Sequence, residues 1–133
     1  MIDQFDDLLK LANEQALKQH LFLVYTIAEL PEDSTEEQRR EFEQGHGGAL
    51  VPAASVDKRA SDIKSFADLE HEARQFIPQW DILFVTAMDV MPGHELDEAQ
   101  IATLMERVVE QIKSGQIGHF VSFDRQGNAV ALN

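Results

Sequence analysis

Four carboxylates follow strand-like apolar runs: Glu29, Asp57, Asp89 and Asp124, with Lys58 and Arg125 directly after two of them. If those strands run parallel, the four acids meet at the carboxyl edge of the sheet, where open α/β folds place their ligands. Oxygen donors gathered in that way suit Mg²⁺. Asp89 and Asp124 would then be catalytic candidates as well, in a small metal- or phosphate-dependent enzyme. The competing account is local, since Asp and Glu are frequent in turns because they accept from nearby backbone N–H groups. None of the four has a second acid placed to form an Asp-x-Asp pair, which favours the turn account.

His46, in Gly45-His46-Gly47-Gly48, and His94, in Pro92-Gly93-His94-Glu95, fall in loops, where function concentrates. They are weaker catalytic candidates, because neither has the spacing of a metal or nucleophile motif. Neither His71-Glu72 nor His94-Glu95 is followed by the second histidine of a zinc-protease helix. The glycines at 45, 47 and 48 are not followed by Gly-Lys-Ser/Thr, and a strand-like run comes next where a phosphate loop would open a helix. No serine stands in a Gly-x-Ser-x-Gly setting. With no cysteine at all, thiol catalysis, thiolate metal sites and disulfides are excluded together. The residues imply no cofactor.

The elements that must position these groups are legible from periodicity. Phe5, Leu8, Leu9, Ala12 and Ala16 share one face of a helix running from Asp3 to about Lys18. Residues 21–28 are apolar on both faces and read as a buried strand. Ser34 and Glu37 form a capping box that opens a mostly charged helix, with Phe42 as its one large apolar residue. Residues 49–56 read as a weak edge strand, because Pro52 cannot donate to a ladder. Ser61 caps a third helix carrying Ile63, Phe66, Leu69, Ala73 and Phe76, up to Pro78. Residues 80–88 give the strongest strand signal, with Asp81 at its start. Asp97 with Gln100, and Leu96 with Ile101, cap and staple a last helix whose stripe is Ile101, Leu104, Met105, Val108, Val109 and Ile112. Gly115 ends it. Residues 117–123 and 129–132 make two further strands around the turn 124–128.

Helices alternating with strands predict a single α/β domain over residues 1–133, with a four- to five-stranded mixed or mostly parallel sheet flanked by about four helices. The chain's 133 residues suffice for one core. Eleven Lys and Arg against 24 Asp and Glu leave a net charge of -13, which repels phosphate backbones and anionic lipid. Neither a nucleic acid nor a membrane is therefore expected as partner. The first residues lack the basic-then-apolar pattern of a signal peptide and the longest apolar run is short, so a cytoplasmic location is expected.

Three stretches resemble a family of short proteobacterial proteins often labelled as a ribonucleotide reductase alpha subunit. They are Ala28-Glu29-Leu30-Pro31 through Thr35-Glu36-Glu37-Gln38 to Phe42; Gly47-Gly48-Ala49-Leu50 with Pro52 and Val56-Asp57-Lys58; and Trp80-Asp81 with Phe123-Asp124-Arg125-Gln126-Gly127. What the resemblance implies is association with that reductase and not its catalysis, which runs through cysteine thiyl chemistry that this chain cannot perform. The expectation is a non-catalytic accessory or interaction domain that binds a protein partner or itself.

Overall fold

Twelve residues, Lys18–Glu29, form strand β1, and six in succession, Leu21 to Thr26, are buried. A strand apolar on both faces belongs in the middle of a sheet with cover on either side, and β1 lies between β2 (Ala49–Arg59) and β3 (Ile82–Val90). Beyond β3 come β4 (Val121–Phe123) and β5 (Ala129–Val130), giving the order β2-β1-β3-β4-β5. The computed structural model describes residues 1–30, 34–43 and 49–132, with the backbone alone for 41–43. His46, the glycines at 45, 47 and 48, Pro31 and the ring of Phe42 lie outside the described residues.

Every neighbouring pair in the sheet is antiparallel. This overturns the expectation of a mixed or mostly parallel sheet. A parallel crossover needs a helix that can bury an apolar stripe on the sheet. The helix between β1 and β2, α2 (Glu36–Glu43), has the sequence Glu-Glu-Gln-Arg-Arg-Glu-Phe-Glu and has no such stripe. The chain instead returns directly alongside β1.

One sheet face is covered by α1 (Phe5–Glu14) and α3 (Phe66–Ala73), which enclose Leu21, Leu23, Tyr25, Leu83, Val85, Trp80 and Phe123. The other face carries α4 (Glu98–Lys113), whose Val108 and Ile112 pack on Phe22, Val24, Phe84 and Phe120. Odd and even positions of β1 thus serve two separate cores, as the two-residue period of a strand requires.

Several boundaries shift from the periodic reading. α1 stops at Glu14, and Lys18, Gln19 and His20 belong to β1. The capping box of α2 is Thr35 with Gln38, one residue later than Ser34 with Glu37: the Thr35 amide donates to Gln38 Oε1 at 2.9 Å, and the Gln38 amide to Thr35 Oγ1 at 3.1 Å. Ser65, not Ser61, caps α3, accepting from the Asp68 amide at 3.2 Å. Residues 60–62 form a single 3-10 turn. β2 is a full edge strand of 11 residues, bulged where Tyr25 faces Ala54 and Thr26 faces Pro52. The Asp97–Gln100 capping box forms as read, with bonds of 3.0 and 2.8 Å.

Candidate functional site

Antiparallel pairing divides the strand-end acids between opposite ends of the sheet. Asp57 and Asp89 lie where β2 and β3 finish, beside the start of β1, whereas Glu29 and Asp124 lie at the far end. In register the members of the two groups are offset by four to ten residues of β1, about 13 to 33 Å along the strand at about 3.3 Å per residue. The expected convergence of all four carboxylates therefore does not occur. Among the described residues no three His, Asp or Glu side chains gather closely enough to hold a metal ion.

Each acid has a local setting. Asp124 Oδ1 accepts from the amides of Gln126 and Asn128 at 2.9 and 3.0 Å and so closes the turn into β5. Glu29 is exposed at the end of β1. Asp89 Oδ1 accepts from Gln19 Nε2 at 2.7 Å, and Asp57 Oδ2 lies 2.8 Å from His20 Nε2. Asp81 accepts the Ala28 amide at 2.8 Å, which ties the start of β3 to β1. His94 is exposed in the turn of Pro92 and Gly93, its amide bonded to the Met91 carbonyl at 2.9 Å.

The end of the sheet that holds Asp57 and Asp89 opens into a cleft of about 600 Å³. Its walls are the α1–β1 connection, the last residues of β2 with the following turn, and the segment entering α4. Ala12, Ala16, Leu17, Leu96 and Ile101 supply apolar surface, and Lys18, Gln19, His20, Asp57, Lys58 and Arg59 supply polar groups. This volume falls within the range of small-molecule sites.

β1 positions both faces of the cleft. Gln19 points to the α1 side, where it is buried and held by Asp89 and by the Leu17 carbonyl at 3.1 Å. His20 points to the α4 side, its ring tilted at 52° to that of Phe22 with centroids 5.4 Å apart and its side chain 11% exposed. Arg59 is its direct partner across the strands. Lys58 leaves on the opposite side and pairs with Glu72 at 2.9 Å. Three cations, Lys18, Lys58 and Arg59, line the cleft against three carboxylates, Asp57, Asp62 and Glu95. In a chain with 24 acids and 11 bases, this is a region without the general acidic excess.

A second polar cluster lies inside the α3 face. Trp80 Nε1 donates to Glu70 Oε2 at 3.1 Å, and Arg125 reaches Glu70 Oε1 at 3.6 Å while its guanidinium sits 5.8 Å from the Trp80 ring centre. Tyr25 packs edge-on to Trp80 at 5.2 Å, and its hydroxyl is buried with no hydrogen-bond partner among the described residues. Burial, reinforced by the charges of Glu70 and Glu72, pushes the Tyr25 hydroxyl far above the ordinary tyrosine range. Glu70, Trp80 and Arg125 satisfy one another at the edge of the core, and the Tyr25 hydroxyl stays outside their bonds.

Lys18, Gln19 and His20 escape the periodic reading because a polar triplet following a helix looks like its continuation. The available signal was alternation: Gln19 and His20 extend the two-faced period of Leu21 and Phe22 backwards. No known family model, curated protein or solved structure matches the chain.

Proposed function

We propose that this chain is a non-catalytic binding module and that the cleft at the start of β1 is its recognition site. The observation that supports this reading is the state of the two strand-end acids at this end of the sheet. Asp57 is held by His20 and Asp89 by Gln19, so both carboxylates are engaged within the fold. What remains available is shape, apolar wall and a balanced set of charges, which suits recognition. The partner implied by the sequence resemblance, a ribonucleotide reductase, is the specific macromolecule to test, and a cytoplasmic setting accords with it.

A fragment screen on the intact chain, read by ¹H–¹⁵N NMR, tests the reading. Bound fragments of anionic, zwitterionic or neutral type should shift the amides of Lys18, Gln19 and His20 together with those of Asp57, Lys58 and Arg59. Hits confined to other surfaces would remove the cleft from consideration.

Self-association is a second reading, favoured by β2, an 11-residue strand at the sheet edge. Edge strands offer unpaired backbone groups to a second chain. Pro52 and the bulge beside it interrupt that edge at mid-strand, so pairing would use the segment 54–59. Light scattering across a concentration series, repeated with Ser55→Pro, distinguishes a dimer paired through this edge from a monomer.

A further inference from the structure

We infer that the cleft contains an oxyanion subsite formed by Lys18, His20 and Arg59, which takes the carboxylate or phosphate group of a small ligand. This rests on the reading of the cleft as the recognition site and names the chemistry it selects. The sheet register creates the arrangement. His20 and Arg59 are directly opposed across β1 and β2, so their side chains leave the same face about 5 Å apart. Lys18 is two residues earlier on β1 and leaves that face too, about 7 Å along the strand. Three nitrogen-bearing side chains thus stand within reach of one oxyanion at the mouth of the cleft.

Among the described residues two of these groups have no carboxylate partner. Lys18 and Arg59 are exposed, and neither enters an ion pair among the described residues. Asp57, the carboxylate nearest in register, is engaged at 2.8 Å by His20 Nε2; Nδ1 has no partner among the described residues and donates to an oxyanion when the ring is protonated on both nitrogens. An arginine fork grips two oxygens of one carboxylate or phosphate group, and a lysine adds a point charge beside it. Unpaired cations placed side by side repel each other unless an anion lies between them. In a chain with an excess of 13 negative charges, a carboxylate could easily have filled that place.

Asp62 and Glu95 line the same cleft and are exposed. They disfavour polyanions, as does the net charge of the chain. The subsite therefore suits a compact ligand with one oxyanion group, whose remainder rests on Leu96 and Ile101.

The test titrates the intact chain with sodium phosphate and, separately, sodium acetate at constant ionic strength, following amide shifts by NMR. Saturable shifts at Lys18, His20 and Arg59 are expected, with a dissociation constant of about 1 to 10 mM for the isolated anion. Response to phosphate alone assigns the subsite to a phosphate group, and response to both assigns it to oxyanions in general. Lys18→Gln and Arg59→Gln should each weaken binding about fivefold, while Lys113→Gln, at the end of α4, should leave it unchanged. Absence of saturation with both anions, or equal binding by all three variants, overturns the inference. If neutral fragments still occupied the cleft in that event, the recognition site would stand and only its anion preference would fall.

Discussion

Replacing Gly127 with Ala probes the joint between the two ends of the chain. Gly127 has φ +81°, and its carbonyl accepts the Phe5 amide at 2.8 Å, fastening the start of α1 to the turn before β5. A Cβ at this position would lie 2.8 Å from Phe66 Cδ2 and 2.9 Å from Cγ. The ring has little room to retreat, because it sits 5.7 Å from the Phe5 ring and 6.4 Å from Trp80. Left-handed backbone costs a non-glycine residue about 1 to 2 kcal/mol, and forced overpacking adds about 1 to 3 kcal/mol. A combined loss of about 3 kcal/mol is a large part of a typical domain's stability and lowers Tm by about 10 °C at this size. Urea and thermal melts measure it. In a Phe66→Leu background the steric part should shrink, leaving a cost of about 1 to 2 kcal/mol for the backbone. A Gly127→Ala chain within about 0.5 kcal/mol of the parent would refute both the turn geometry and the packing of Phe66 against it.

Two further perturbations test the packing. Val108→Asp places a charge against Phe22 and Phe84 in the α4 core and should cost at least about 3 kcal/mol or leave the chain insoluble; Glu106→Ala, on the exposed side of the same helix, should be nearly neutral, and coincident melts would mean the buried face is misassigned. Tyr25 is the only tyrosine, and its hydroxyl titrates higher in the folded chain than the value of about 10 in the unfolded one. The folded state then holds a proton that the unfolded state releases, so this contribution is complete below about pH 10 and declines as pH rises towards the folded value. Tyr25→Phe should flatten the loss of stability above pH 10 and cost less than about 1 kcal/mol at pH 7, since the hydroxyl it removes has no partner among the described residues. Denaturant melts of both chains at neutral and alkaline pH decide it, and parallel pH curves would count against the burial argument.

Local patterning carried much of the fold. The stripe from Ile101 to Ile112 and the Asp97–Gln100 cap placed α4 within a residue, because a helix end is written in side chains that bond their own backbone. The two-faced run through Leu21 and Thr26 identified a buried strand for a similar reason: nothing exposed tolerates that many apolar residues on both sides. Asp124 could be read as a turn residue, and its bonds to Gln126 and Asn128 lie within four positions.

Strand direction was not written in any single segment. An apolar strand has the same period whichever way its neighbour runs, and the alternation of helices with strands suggested crossovers that the polar α2 cannot make. That one decision separated Glu29 and Asp124 from Asp57 and Asp89. It also created the cleft, because only the antiparallel register brings His20 opposite Arg59, 39 positions later in the chain, and Gln19 opposite Asp89. Sequence determined which residues form each element, through interactions a few positions long. The tertiary structure determined which polar groups share a site, since pairing across strands depends on the packing of both sheet faces at once.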